Sequence, residues 1–263
     1  MDNDPYVRSG ALIKDPPVSF LGRLKFIGPG MILSASIVGS GELIATTTLG
    51  AQAGFVTFWV IIVSCLVKVA VQVEFAKHTI LSGETPMEVI NELPGPRRKG
   101  VSWSVWTLLF FIAIKMIQVG GVLGGVAILM SMVFSVMSNS VWTFVIAIIV
   151  SLLVFKGYYR FIEKASLWMM AFFTLFTFAS LYFLNFTPYQ LSLSDILSGL
   201  TFQLPTEAVA VAIGAFGITG VGGDEIIFYN YWCLEKGYAA YTGTREDGKA
   251  WEQRARGWIR TMK

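Results

Sequence analysis

The chain has 263 residues, of which 54% are hydrophobic and 14% charged, with a formal net charge of only +3. At a mean hydropathy of +0.63 it is too apolar and too poorly charged for a soluble domain, and so small a charge gives no nucleic-acid surface. One histidine, His78, and two widely separated cysteines, Cys65 and Cys233, exclude a histidine cluster, a zinc site and a disulfide framework.

Residues 1–25 form a polar tail, and the apolar run that follows is too long for a cleavable signal peptide. Six apolar spans are predicted, at 26–51, 54–75, 105–134, 141–155, 167–184 and 208–234, against the roughly 20 residues that a bilayer crossing needs. The fourth is short, and Ser140 and Lys156 extend it. Pro94-Gly95-Pro96, Ser138-Asn139-Ser140, Pro188 and Pro205 punctuate the loops. The stretch 247–263 reads as a short basic helix.

The 20 lysines and arginines report the topology. Four precede the first span, four lie between spans two and three, three between spans four and five, and seven follow span six. The other three loops carry none, and only Lys68 and Lys115 lie inside spans. By the positive-inside rule this alternation predicts a cytoplasmic amino terminus and six crossings. Lys68 and Glu74 sit toward the cytoplasmic end of span two, where a long side chain is expected to snorkel.

A short string occurs twice. Val38-Gly39-Ser40-Gly41-Glu42-Leu43-Ile44 matches Val221-Gly222-Gly223-Asp224-Glu225-Ile226-Ile227 at four of seven positions. Each copy places helix-breaking glycines and a carboxylate inside an apolar span, and intramembrane acids are costly enough to mark function. Spans one and six run in opposite directions under the predicted topology, so the copies form an inverted pair, the pattern that points to a transporter's binding site. The expected organisation is a cytoplasmic tail (1–25), five crossings forming a first repeat (26–184), an external loop (185–206) and a sixth crossing (207–234) opening a second repeat. A cytoplasmic segment (235–263) then leads toward a seventh helix. The chain is expected to be truncated after the sixth transmembrane helix.

A helix interrupted at Gly39, Ser40 and Gly41 frees backbone carbonyls, which with the Ser40 hydroxyl and the Glu42 carboxylate form an oxygen-rich shell for a hard cation. Gly222, Gly223, Asp224 and Glu225 offer the same from the facing segment, so Glu42, Asp224 and Glu225 are the expected metal ligands. Close helix packing is the alternative use of the glycines, and an N-cap or an ion pair that of the acids. In span three, Lys115 and Gln118 share a helix face. Lys115 is expected to act as a counter-ion to Glu42 or Asp224, or to titrate during transport. Gly121 and Gly125 read as a packing face.

Gly28-Pro29-Gly30 entering span one and Gly50-Ala51-Gln52-Ala53-Gly54-Phe55 leaving it resemble the Nramp family of divalent-metal transporters. The resemblance implies an all-α polytopic membrane protein with the LeuT-type inverted-repeat fold of the amino acid–polyamine–organocation group. The family's first-helix Asp-Pro-Gly-Asn falls on Gly39-Ser40-Gly41-Glu42, retaining only the glycine. Its sixth-helix Met-Pro-His-Asn falls on Gly222-Gly223-Asp224-Glu225, retaining nothing. Its third-helix acidic pair falls on Lys115 and Gln118, which removes the groups tied to proton movement in the family. With no Met, His or Cys expected at the site, hard ions such as Mg²⁺, Mn²⁺ or Ca²⁺ are favoured over soft ones.

The expected function is secondary transport of a divalent cation by alternating access in a lipid bilayer, with no cofactor and no enzymatic chemistry. Coupling to a proton or sodium belongs with this reading. The alternatives are a proton- or sodium-coupled symporter of a small organic solute such as an amino acid, and a non-transporting sensor or scaffold. The resemblance places the protein in a bacterial inner membrane.

Overall fold

The computed structural model describes residues 4–8, 12–38, 41–155 and 159–263. The chain is mostly helical and forms two compact units, Met1–Thr85 with Glu163–Lys263, and Pro86–Ile162.

The first unit opens with α1 (Phe20–Leu24), whose first turn is capped by the Ser19 hydroxyl accepting from the Gly22 N–H. In α2 (Gly28–Ile37), Pro29 occupies the first turn, where its missing N–H costs nothing. Gly39 and Ser40, both candidate site residues, lie outside the described residues. A π-turn over Gly41–Ala45 leads into α3 (Thr46–Ala53). The hydroxyls of Thr46, Thr47 and Thr48 donate to the carbonyls of Glu42, Leu43 and Ile44, giving the wide turn's backbone local partners. Gly54 (φ 65°, ψ −162°) ends α3, a conformation closed to side-chain-bearing residues. A 3₁₀ turn (Gly54–Thr57) then leads to α4 (Phe58–Ser82).

The second unit comprises α5 (Pro86–Asn91), a two-stranded antiparallel hairpin (β1 Arg97–Arg98, β2 Val101–Ser102), α6 (Trp103–Val133) and α7 (Asn139–Phe155). Lys99 (φ 53°) and Gly100 (φ 80°) make the hairpin turn, both with the positive φ that tight two-residue turns require. Sequence reasoning assigned this segment to a loop. The two-residue strands carry too little periodicity to be seen.

The chain continues through α8 (Tyr159–Leu184), α9 (Leu193–Ser198), α10 (Val209–Ile218), α11 (Gly223–Glu235) and α12 (Lys249–Met262). Within the stretch expected to be loop, α9 is set by a capping box in which Ser192 and Asp195 satisfy each other's backbone N–H groups.

The six expected spans fall on four long apolar stretches, Glu42–Ser82, Trp103–Val133, Phe161–Leu184 and Thr206–Glu235, and two shorter apolar helices, Gly28–Ile37 and Asn139–Phe155. The difference lies in how the first two spans divide. A straight helix over the 41 residues of Glu42–Ser82 would reach about 60 Å, twice the hydrocarbon thickness; the break at Gly54 divides it. None of the most apolar window of Phe161–Leu184 is buried. So large an apolar surface needs lipid as its solvent.

In the first unit, α2 packs on α11, and α10 packs on the π-turn and α3, while α4 touches both α10 and α11. The first half of one broken segment therefore meets the second half of the other, as antiparallel segments must. One core cluster joins Leu33, Ala76, Ile80, Ile226 and Trp258; a second joins Leu49, Val60, Ala212 and Ala215. A half-buried Lys236–Glu163 ion pair ties α11 to α8, and a Cβ at Gly28 would collide with that same carboxylate.

Candidate functional site

The second broken segment stops being helical at Ile218 because of its next four residues. Thr219 is extended (ψ 148°) and Gly220 has φ +70°. A side chain at Gly220 would be strained and crowded, its Cβ 3.2 Å from Cys65 Sγ and 3.3 Å from Cys65 Cα. Gly222 is the N-cap of α11, and a Cβ there would collide with the Glu225 carboxylate. Glu225, third in the helix, thus lies back over the helix's own start, where unpaired N–H groups and the positive dipole end favour an anion.

A charged hydrogen bond joins the two breaks. The Gly220 N–H donates to Glu42 Oε1 at 2.5 Å, across 178 residues. Glu42, Gly222, Asp224 and Glu225 are half-buried and Gly223 is exposed. Gly41 lies in the π-turn that carries Glu42. Among the described residues no group of three or more His, Cys, Asp or Glu side chains is arranged to hold a metal. Glu42, Asp224 and Glu225 therefore do not form a three-carboxylate cage.

Three residues of α4 that sequence reasoning did not assign to the site stand at the break. Lys68 Nζ donates to the carbonyls of Phe216, Gly217 and Thr219 at 2.7, 2.9 and 2.7 Å. Ser64 Oγ donates to Phe216 O at 2.7 Å and Thr219 O at 3.2 Å. Cys65 lies against Gly220. Two expectations are corrected here. Lys68 does not snorkel away from the membrane interior but caps the end of α10, and a thiol stands beside the break. The available signal was a polar stripe at helical spacing in an apolar helix: Ser64, Cys65, Lys68 and Gln72.

Lys115 and Gln118 share a half-buried face of α6, in the second unit. One turn past Glu42, a cavity of about 270 Å³ opens between Thr46, Leu49, Gly50, Phe55, Phe58 and Ile61. Its walls are mostly apolar, which leaves it short of the oxygen ligands that a hard cation needs.

The Nramp family model, described as natural resistance-associated macrophage protein-like, matches residues 30–222, a range that holds Glu42, Lys68 and the break at Gly220. Comparisons with curated proteins and with solved structures found no match. The family match covers most of the chain, and with its membrane-length apolar helices the protein is an integral membrane member of the Nramp family, which comprises metal-ion transporters and not enzymes.

Proposed function

We propose that the chain moves a hard divalent cation, such as Mg²⁺, Mn²⁺ or Ca²⁺, by alternating access, through a site where its two broken segments cross. The hydrogen bond from Gly220 to Glu42 carries this reading, because it puts a carboxylate from one break against the backbone of the other. Asp224 and Glu225 begin the adjoining half-helix. Glu42, Asp224 and Glu225 bring three carboxylates to the two breaks, and a divalent cation is a fitting counter-charge for such oxygen ligands. A hydrated ion held by one or two carboxylates needs no cage, and that is the usual manner of Mg²⁺. The LeuT-type inverted repeat, the cytoplasmic amino terminus and the bacterial inner membrane belong to the same proposal. So do coupling to a proton or sodium and roles for Gly39, Ser40, Lys115 and Gln118.

Calorimetric titration of the purified protein with Mg²⁺, Mn²⁺ and Ca²⁺ tests the site. Glu42→Gln and Asp224→Asn are expected to weaken binding by about tenfold or more each, the loss of one charged ligand being worth at least about 1.4 kcal/mol. Unchanged affinity in both variants removes these carboxylates from the site. Solute-driven heat with an amino acid and none with metal transfers the proposal to an organic substrate.

A further inference from the structure

We propose that the end of α10 is a monovalent-cation site that the chain fills with its own ammonium, Lys68. An ammonium has three donors and no acceptor, and all three protons have a carbonyl here, from Phe216, Gly217 and Thr219 at 2.7–2.9 Å. The first two of these carbonyls belong to the last turn of a half-helix that stops inside the membrane, and the third to the residue just after it. They have no intrahelical N–H partners, and they carry the negative end of the helix dipole. An apolar or neutral residue at position 68 would leave them without a partner at a depth where water cannot replace one. A ring of carbonyls that replaces a cation's hydration shell is also how K⁺ is held in channel filters.

The same place holds spare oxygen. The Thr219 hydroxyl is fully buried, and its oxygen has no hydrogen-bond partner among the described residues. It belongs to the residue whose carbonyl Lys68 binds. Ser64 adds a hydroxyl that already touches two of these carbonyls' residues. Three carbonyl oxygens thus surround a position now taken by a tethered charge, with the Thr219 and Ser64 hydroxyls on residues that share in the contact. Glu42 and Glu225 lie within electrostatic range of Lys68, so the position stays favourable for a cation when the lysine is removed. The phenylalanine ring of Phe216, 5.7 Å from Nζ, presents a further surface that attracts a cation.

This inference concerns monovalent cations and the end of α10; it does not depend on which solute the protein transports. The test is chemical rescue. Full-length Lys68→Ala is purified in detergent in buffers whose cation is K⁺, Na⁺, ammonium or methylammonium, with N-methylglucamine as the bulky control. The expected result is a Tm well below wild type in N-methylglucamine, raised by roughly 2–8 °C in a saturable way by one or more of the small cations. Wild type and Lys68→Arg, which keep a tethered cation, should show no such dependence on K⁺, ammonium or methylammonium. If Lys68→Ala aggregates in the control buffer, the monodisperse yield on extraction replaces Tm as the readout, and small cations should restore it. A variant whose Tm and yield are indifferent to the cation overturns the proposal, as does an equal cation response in wild type.

Discussion

Gly220→Ala, paired with Gly223→Ala, separates a glycine that the break requires from one that it does not. At Gly220 the φ of +70° costs an L-residue about 1–2 kcal/mol. The added methyl would sit 3.3 Å from Cys65 Cα, part of the α4 backbone, which cannot turn aside as a side chain can; such overpacking costs typically about 1–3 kcal/mol. Any shift of the Gly220 backbone also stretches its 2.5 Å bond to Glu42, and the two costs together give an expected loss of about 2–5 kcal/mol. At Gly223 φ is not positive, and nothing lies within 4 Å of an added Cβ; the change should stay within about 0.5 kcal/mol. Thermal unfolding in detergent should therefore show Tm falling by roughly 4–20 °C for Gly220→Ala and hardly moving for Gly223→Ala. Equal Tm values for the two variants would refute the account of the break as a left-handed glycine wedged against α4.

Trp258 of α12 is fully buried, packed on Phe26, Tyr238 and Tyr241 with its Nε1–H donating to Lys14 O at 2.9 Å. Trp258→Ala should cost about 3–5 kcal/mol and expose residues 12–25 to limited proteolysis; an unchanged cleavage pattern would show that Trp258 does not hold that segment. Tyr6 donates to Glu235 Oε1 at 2.8 Å, and burial first, then this bond to the carboxylate, raises the phenol above its ordinary 10.0. Its contribution is complete below pH 10 and lost as pH rises through the raised value, because the unfolded phenol ionises first. Tyr6→Phe should abolish that alkaline loss, measured as Tm against pH. Cys65→Ser tests whether the thiol beside Gly220 joins the ion's shell. The ratio of Cd²⁺ to Mg²⁺ affinity should fall by about tenfold, and an unchanged ratio places the sulfur outside it.

Much of the fold was legible because it is written locally. An apolar run of crossing length, a glycine string or a lysine count needs no knowledge of neighbours, and the break at 219–222 follows from what Gly220 and Gly222 lack. The capping box of α9 was equally local, in Ser192 and Asp195, but its six residues are too few to register as a helix by periodicity. Local signals also located Glu42, Asp224 and Glu225, though not what each touches.

The amino-acid sequence by itself determined that this chain lives in lipid and that two of its apolar segments are broken beside acids. Only the tertiary structure decided which groups meet at the breaks. Lys68 is an ordinary lysine inside an apolar helix until α10 arrives from 148 residues away to offer Phe216 O, and Glu42 is a lone acid until Gly220 donates to it. In a helix apolar on every side, hydropathy does not tell which face meets protein and which meets lipid. That choice is made by packing and by the need of each intramembrane backbone group for a partner.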